Sequence, residues 1–256
     1  MALLKIIRHV RRFGIGATIR KVFSVLPAYL AEVRFWRIRK CRCCERLTVF
    51  VCNGRGSEFR TCVFCSANER YELLAQEVKS RYGGSLREMR VLELDPHSPL
   101  VKILSQAREH VRTYYEATEQ NGTARPDGSL CQDITQLTFP DESFDLIVSS
   151  DVLEHVPALE RAFSESRRVL KPGKAHLFTV PPRPKTRRRA AIVEGQVIHY
   201  EPPDYHLDPL SPRGILAFWD VGPDLSEVVN AAGLRLSVVR GPSGLDARIV
   251  WMAERS

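Results

Sequence analysis

One stretch of the chain, residues 131–181, constrains the fold more than any other part of the sequence. Phe144–Ser150 is an apolar run with β-branched residues at its centre, typical of a strand buried on both faces of a sheet. An apolar stripe then predicts a helix from Leu159 to Leu170, ended by Lys171-Pro172-Gly173, and His176–Val180 predicts a second buried strand. Strand, helix and strand with short connections indicate a right-handed βαβ unit. Ligands of such sheets bind outside the carboxyl ends of the strands.

The order of residues within this unit is specific. Residues 133–157 read D-I-T-x-L-x-F-P-D-x-S-F-D-L-I-V-S-S-x-V-L-E-H-V-P, and residues 168–173 read R-V-L-K-P-G. This pattern resembles the class I S-adenosylmethionine-dependent methyltransferases, and the resemblance runs from about residue 88 to the C-terminus. It implies an α/β fold: a Rossmann-like sheet of seven strands with helices on both faces, closed by an antiparallel hairpin. It also implies S-adenosylmethionine as the cofactor.

The resemblance assigns residues to the methionine end of the cofactor. Glu93 matches the family's acidic residue at the end of the first strand, Arg90–Leu94. The family usually continues with a glycine-rich turn, which lets the backbone approach the cofactor closely. This chain instead has Asp95, Pro96, His97 and Pro99. We expect a reshaped turn in which Asp95 or His97 contacts the ammonium or carboxylate group; the alternative is a site that has lost cofactor binding.

Further residues are assigned to the adenosine part by the same resemblance. After a helix at Leu104–Val111 and a second strand at Arg112–Thr118, Glu119 is expected to accept hydrogen bonds from the ribose hydroxyls, with Glu116 as the other candidate. Asp133, after a third strand at Leu130–Ile134, matches the residue that contacts the adenine amino group, with the Ile134 backbone beside it. The alternative for Asp133 is a local Asp-x-Thr turn. The pocket lining is expected to include Ser149, Ser150 and Asp151.

The acceptor side has fewer markers. His155 is a candidate general base because imidazole titrates near neutral pH, although the Leu-Glu-His element often looks structural in this family. Residues 183–210 form a long insertion at the binding edge, which predicts a substrate lid. Within it, the candidates are Tyr205, His206 and Asp208. The insertion starts with a basic run, called the arginine run below, which is a candidate site for a phosphate-bearing or acidic acceptor, or else ordinary loop surface; it consists of Arg183, Lys185, Arg187, Arg188 and Arg189.

Six of the seven cysteines lie between residues 41 and 65. Cys41-x2-Cys44 and Cys62-x2-Cys65 are 17 residues apart, a spacing typical of a structural zinc site in which four thiolates surround one ion. Cys43 is close enough in sequence to replace Cys41 or Cys44. The segment resembles the small zinc ribbon that precedes some class I methyltransferase domains. A ribbon at residues 41–70 would then precede a methyltransferase domain at residues 71–256.

Charge is distributed unevenly. Residues 1–90 carry 19 Lys/Arg and 7 Asp/Glu, whereas residues 91–256 carry 19 and 23. Residues 1–40 read as a basic amphipathic helical segment, with a last helical stretch at Tyr29–Ile38. Such a segment packs on its own domain, lies on an anionic membrane surface or follows a phosphate backbone. No secretory signal or membrane span is recognisable, so we expect a cytoplasmic protein, peripheral to the membrane if residues 1–40 bind lipid.

The sequence therefore predicts methyl transfer from S-adenosylmethionine to a small-molecule, saccharide or lipid-linked acceptor. One alternative is an inactive methyltransferase-like scaffold, favoured by the substituted glycines. The other is an RNA-modifying enzyme that uses the basic N-terminal part. Nucleic acid is the less favoured partner because no basic strand with interleaved aromatic residues is present. The pattern does not distinguish O-, N- and C-methylation and does not indicate an oligomeric state.

Overall fold

The computed structural model describes residues 35–52, 60–208, 211–240 and 249–256. The expectations for residues 1–34 lie outside these ranges. Contacts divide the chain into two compact units, Met1–Glu72 and Leu73–Ser256, and each is described by itself. Among the described residues, no helix has the length and apolar character needed to cross a membrane.

The first unit contains a three-stranded antiparallel sheet. Its strands are β1 (Phe35–Lys40), β2 (Leu47–Cys52) and β3 (Arg60–Cys62), in the order β1-β2-β3. The helical prediction for residues 29–40 is wrong where the structure describes them, because β1 pairs along its whole length with β2. Arg37 and Arg39 alternate with apolar neighbours, a period of two that fits a strand. Helix α1, Glu69–Tyr82, spans the sequence boundary between the two units.

The second unit is built on a seven-stranded sheet with the order β15-β16-β8-β7-β4-β5-β6. The strands of this unit, in chain order, are β4 (Arg90–Glu93), β5 (Glu109–Tyr114), β6 (Leu130–Cys131), β7 (Phe144–Ser150), β8 (Leu170–Thr179), β9 (Arg187–Arg188), β10 (Ala190–Val193), β11 (Gln196–His199), β12 (Tyr205–Asp208), β13 (Ser211–Leu216), β14 (Trp219–Asp220), β15 (Leu234–Arg240) and β16 (Val250–Arg255). Neighbouring pairs from β8 to β6 run parallel, and β15 and β16 form the antiparallel hairpin. The predicted fold is confirmed.

The central βαβ unit forms as its sequence pattern predicts. All seven residues of β7 are buried. Helix α3, Leu159–Val169, buries the predicted stripe, which consists of Leu159, Ala162, Phe163, Ser166 and Val169. Phe163 packs against Phe178 of β8 with their ring centroids 5.8 Å apart. This packing fixes the position of the chain segment that follows β7, at the carboxyl edge of the sheet.

Several predicted boundaries are wrong, and the third strand ends at Cys131 and not at Ile134. Helix α2 covers only Val101–Leu104, and residues 109–111, predicted as helix, begin β5, where they pair in parallel with β4. The second strand therefore ends at Tyr114, four residues before Thr118. Strand β8 begins at Leu170, directly after α3, so Lys171-Pro172-Gly173 is an irregular part of the strand. Gly173 has a φ of 70°, and the register with β7 shifts after Leu170.

The insertion after β8 is not a single loop. It contains the hairpin β10–β11, and its β9 and β12 pair with the later strands β14 and β13, respectively. The last helix, α4 (Leu225–Ala231), then precedes the edge hairpin. These short pairs bring Phe218 back to the segment after β7, where its N–H donates to Glu154 O at 2.8 Å.

Candidate active site

Glu93 lies at the end of β4 and is almost fully buried. Its Oε2 atom is 2.8 Å from Nε2 of His110, a residue of the neighbouring strand. Burial raises the pKa of Glu93, although the contact with His110 acts in the opposite direction. The other oxygen, Oε1, makes no hydrogen bond to any residue that the structure describes. A buried polar atom of this kind is expected to have a partner, so it is open to a ligand group.

The turn after β4 is held by polar groups in place of glycines. Asp95 Oδ1 accepts a hydrogen bond from the His97 N–H at 2.8 Å, and Arg112 donates to the Pro96 carbonyl at 3.0 Å. None of residues 95–99, all of which are described, has a positive φ. The backbone therefore does not require glycine at these positions. His97 is exposed, and Asp95 and Pro96 are half-buried.

A cavity of about 540 Å³ lies beyond the carboxyl ends of β5 and β6. Its wall is formed by Tyr115–Ala117, Glu119–Asn121, Asp133 and Gln136–Thr138. Three of the residues that the resemblance assigns to the adenosine part, namely Glu116, Glu119 and Asp133, therefore face one cavity. Its volume falls in the range of small-molecule and cofactor sites.

The two ribose candidates have different surroundings. The Glu119 carboxylate accepts hydrogen bonds from the Tyr114 hydroxyl and, at 2.9 Å, from Arg125, and these contacts lower the pKa of Glu119. Glu116 lies two residues after the end of β5, and its Oε1 accepts a hydrogen bond from the Thr118 hydroxyl at 3.1 Å. Because the observed strand ends earlier than predicted, Glu116 is the acid nearer to the strand end.

Asp133 forms the local turn that the sequence offers as its alternative role. Its Oδ1 atom accepts hydrogen bonds from the N–H and the hydroxyl of Thr135, both at 2.8 Å. The Asp133 N–H donates to the side chain of Asn121 at 2.9 Å. Ile134 is buried in the core beside α3. The turn fixes the direction of the Asp133 carboxylate in the cavity wall.

The residues that end β7 make contacts with β8. Ser149 is buried, and its hydroxyl lies 2.8 Å from Nε2 of His176, so it contacts the core. Ser150 bonds to the Thr179 hydroxyl at 3.1 Å, and that hydroxyl donates to Asp151 Oδ1 at 3.2 Å. Asp151 has a φ of 51°. A non-glycine residue in this left-handed region is strained, and such strain is concentrated at functional sites.

The acceptor-side candidates do not all come together. His155 and His206 stack edge to face with their ring centroids 4.8 Å apart, and Glu154 Oε1 lies 3.8 Å from His155 Nε2 and 3.6 Å from His206 Nδ1. Burial raises the pKa of Glu154, and the nearby Glu154 carboxylate raises the pKa of His206. Tyr205 is 54% exposed and belongs to β12, as does Asp208. Sequence reasoning missed Glu154 as a site residue; a signal was its acidic side chain directly beside the candidate base His155.

The arginine run does not form an open anion site. Arg187 and Arg189 both donate to the buried Asp220 carboxylate, at 2.7 and 3.0 Å. Arg183 pairs with Asp204 at 3.0 Å and Arg188 pairs with Glu160 at 3.2 Å. These arginines therefore hold the insertion together, and the structure does not favour an acidic acceptor on this run.

The predicted zinc ligands form one cluster in the first unit. Cys41 Sγ and Cys65 Sγ are 3.7 Å apart, and Cys44 Sγ and Cys62 Sγ are 3.8 Å apart. Four thiolates at about 2.3 Å from a zinc ion in a tetrahedron have sulfur atoms about 3.8 Å apart, so the donor set fits this metal. Cys43 is buried but is not one of the four sulfur atoms that approach one another.

Comparison with known proteins finds similarity over part of the second unit. A family model described as a methyltransferase domain matches residues 75–178. The sterol 24-C-methyltransferase of Aspergillus fumigatus is 27% identical over 134 residues, which cover 47% of this chain and 36% of that protein. The one from Gibberella zeae is 49% identical over 41 residues, which cover 16% of this chain and 11% of that protein. The chain thus aligns with only about a third or less of these relatives.

One solved structure similar to this chain is a 1,6-didemethyltoxoflavin-N1-methyltransferase of Burkholderia thailandensis with bound S-adenosylhomocysteine. The two are 15% identical with a TM-score of 0.46, and the match covers 71% of this chain and 76% of that one. The family match includes the five parallel strands and most of the motif that follows β6. The family match supports the resemblance to class I S-adenosylmethionine-dependent methyltransferases over residues 75–178.

Proposed function

We propose that the protein transfers a methyl group from S-adenosylmethionine to a small-molecule, saccharide or lipid-linked acceptor. The observation that carries this proposal is the cavity at the carboxyl ends of β5 and β6, because its wall includes Asp133 and Glu116. The family resemblance assigns Asp133 to the adenosine part of the cofactor and gives Glu116 as one of two candidates for that part. The volume and the carboxylates fit a nucleoside with hydroxyl and amino donors.

Each part of the site has a role in this proposal. Asp133 holds the adenine amino group, and Glu116, in preference to Glu119, accepts hydrogen bonds from the ribose hydroxyls. The methionine end is held by Glu93 and by the turn at Asp95–His97. When bound, the cofactor supplies an electrophilic sulfonium methyl group. The remaining task of the protein is to position the acceptor and exclude water, which suits the insertion after β8.

The acceptor itself is proposed only by class. The curated relatives are named for a sterol carbon as their methylation site, so a lipid acceptor and C-methylation belong among the first tests. The paired arginines argue against an acceptor chosen for negative charge. We also propose that residues 1–40 contact a membrane surface in the cytoplasm, as their basic amphipathic pattern suggests. Flotation with anionic liposomes should be lost when residues 1–34, which precede β1, are removed; equal flotation would contradict this.

We further propose that Cys41, Cys44, Cys62 and Cys65 hold a structural zinc ion and that residues 41–70 are a zinc ribbon. The support is the match between the observed sulfur separations and a tetrahedral site. Four thiolates leave no open position on the ion, so its role is in folding.

Calorimetric titration with S-adenosylmethionine and S-adenosylhomocysteine tests the cofactor site. Asp133→Ala should weaken both affinities by about tenfold or more, since it removes a charged hydrogen-bond acceptor. Asp127→Ala is the matched control, because Asp127 forms the same kind of turn with Ser129 but does not line the cavity. Glu116→Gln should weaken binding more than Glu119→Gln.

The outcomes separate the alternatives. No binding to the folded wild-type protein at millimolar ligand would overturn the proposed enzyme and favour the scaffold alternative. Equal losses in Asp133→Ala and Asp127→Ala would place the adenine elsewhere. Cofactor binding together with methylation of RNA, and of no small acceptor, would favour the RNA-modifying alternative.

A further inference from the structure

Glu154, His155 and His206 form a cluster that methyl transfer does not require. Glu154 and His155 belong to the short helical turn Leu153–His155 after β7, and His206 belongs to β12. One potential ligand atom from each residue lies within 4.8 Å of the other two. The insertion after β8 therefore brings a second imidazole to the edge of the sheet where Glu154 and His155 already lie.

The Glu154 carboxyl is buried, and its approach to the two imidazoles falls short of hydrogen-bonding distance. The residue is 1% exposed, and neither Oε1 nor Oε2 makes a hydrogen bond to any residue among those that the structure describes. Oε1 is 3.6 Å from His206 Nδ1 and 3.8 Å from His155 Nε2, beyond hydrogen-bonding distance. Leaving two such oxygens without partners costs free energy, and a cation between the three side chains would remove that cost.

In each histidine, the ring nitrogen that does not face Glu154 lies near a carbonyl or carboxylate oxygen that orients the ring. His155 Nδ1 lies 2.9 Å from the carbonyl oxygen of Leu216, so it donates its N–H there and leaves Nε2 with a free lone pair. His206 Nε2 is 3.8 Å from Asp204 Oδ2, and Asp204 is held by Arg183. Metal-binding histidines commonly have this arrangement, in which a carbonyl or carboxylate faces the nitrogen that does not bind the ion.

We propose that Glu154, His155 and His206 bind one divalent transition-metal ion, such as zinc. Imidazole nitrogens and carboxylate oxygens lie about 2.0–2.2 Å from zinc, which places neighbouring ligand atoms about 3.3–3.5 Å apart. The observed 3.6 and 3.8 Å separations from Glu154 Oε1 are close to this spacing, and all three ligand atoms lie within 4.8 Å of one another, so ion binding would draw them together. Three protein ligands leave a position open for water or an acceptor hydroxyl, whose pKa the ion lowers. This last role rests on the proposed methyl transfer, whereas ion binding does not.

The test compares the metal content of full-length variants with that of the wild type. The wild type, Glu154→Gln, His206→Ala and the control His199→Ala are equilibrated with zinc, desalted and analysed for metals. His199 is an exposed histidine of β11 outside the cluster. Glu154→Gln and His206→Ala should hold one ion fewer per chain than the other two proteins. Thiol titration should be unchanged, which shows that the cysteine site keeps its ion.

X-ray absorption at the zinc edge gives a second readout. The wild-type shell should contain sulfur together with nitrogen and oxygen, and the His206→Ala shell should contain sulfur only. Equal metal content of all four proteins after equilibration with zinc, manganese, iron(II) and nickel in turn would overturn the proposal; Glu154 would then be a buried neutral acid. Because no step needs S-adenosylmethionine, failure of the methyl-transfer proposal leaves this result unaffected.

Discussion

Nε2 of His176 lies 2.8 Å from the Ser149 hydroxyl, and both side chains are buried between β7 and β8. The other ring nitrogen, Nδ1, is 3.3 Å from the Ser166 hydroxyl of α3. Two serines thus satisfy an imidazole that is shielded from water. This explains why a predicted apolar strand begins with a histidine.

The first prediction concerns acid stability. Burial lowers the pKa of His176 to about 3, so the folded protein keeps this imidazole neutral while the unfolded chain protonates it below its ordinary value. The unfolded state binds more protons between pH 6.5 and 3, and stability therefore falls as pH falls through this window. The free energy of unfolding should drop by about 2 kcal/mol between pH 7.5 and 5.0 from this group.

Urea unfolding of the wild type and His176→Asn at the two pH values checks this. The variant should be less stable at pH 7.5 because of lost packing, yet its stability should depend less on pH. His199→Asn controls for a histidine that is exposed in both states. The same pH dependence in the wild type and His176→Asn would show that His176 is protonated in the folded state.

The second prediction identifies the zinc ligands among three neighbouring cysteines. Cys44→Ala should lose one zinc ion per chain and unfold the three-stranded sheet, because the binding free energy of a structural ion contributes to folding. Cys43→Ala should keep that ion, since Cys43 lies outside the group of four sulfur atoms. Elemental analysis and circular dichroism compare the two variants. Loss of the ion in Cys43→Ala, with retention in Cys44→Ala, would mean that Cys43 binds the zinc ion and Cys44 does not.

The third prediction concerns Asp220, which holds the insertion. Burial alone would raise the pKa of Asp220, but hydrogen bonds from Arg187 and Arg189 outweigh it and lower the pKa. Asp220→Asn removes the negative charge that these two guanidinium groups share as their partner. It should lower the free energy of unfolding by about 3 kcal/mol. Glu201→Gln removes an exposed partner of the same Arg187 and should cost at most about 1 kcal/mol. Urea denaturation measures both; equal effects would mean that Asp220 is solvated.

The apolar runs predict the centre of the fold well because burial on both faces leaves little freedom in their sequence. Residues 144–150 form β7 with the predicted bounds. Periodicity fails at residues 104–111, where the parallel ladder between β4 and β5 decides the conformation. The helical prediction also fails at residues 35–40, where arginines alternate with apolar residues as in a strand and the segment pairs with β2.

The site is less predictable than the sheet. The family resemblance assigns Glu116, Glu119 and Asp133 to the adenosine part, and the three line one cavity because each follows a parallel strand. The contacts of Glu154 with His206 depend on how the insertion folds back through β12 and β13, and no local pattern encodes this. The pairing of the arginine run with Asp220 depends on the same return of the chain.

The last prediction concerns Arg168, which explains why the two halves of the family motif occur together. Its guanidinium donates to the Leu137 and Phe139 carbonyls, at 2.9 and 2.8 Å, and to the Glu165 carboxylate at 2.8 Å. The arginine before Val-Leu-Lys-Pro-Gly therefore ties the Phe-Pro-Asp loop to α3. A lysine keeps the charge but cannot provide this planar set of donors.

Arg168→Lys should lower the free energy of unfolding by about 2 kcal/mol. Arg167→Lys, on the exposed side of the same helical turn, should change it by less than about 0.5 kcal/mol. Thermal and urea unfolding compare the two variants, and because Leu137 lines the cavity, cofactor affinity should fall in Arg168→Lys alone. If the two variants behaved alike, the loop would be held by its packing, and the co-occurrence of the two motif halves would need another cause.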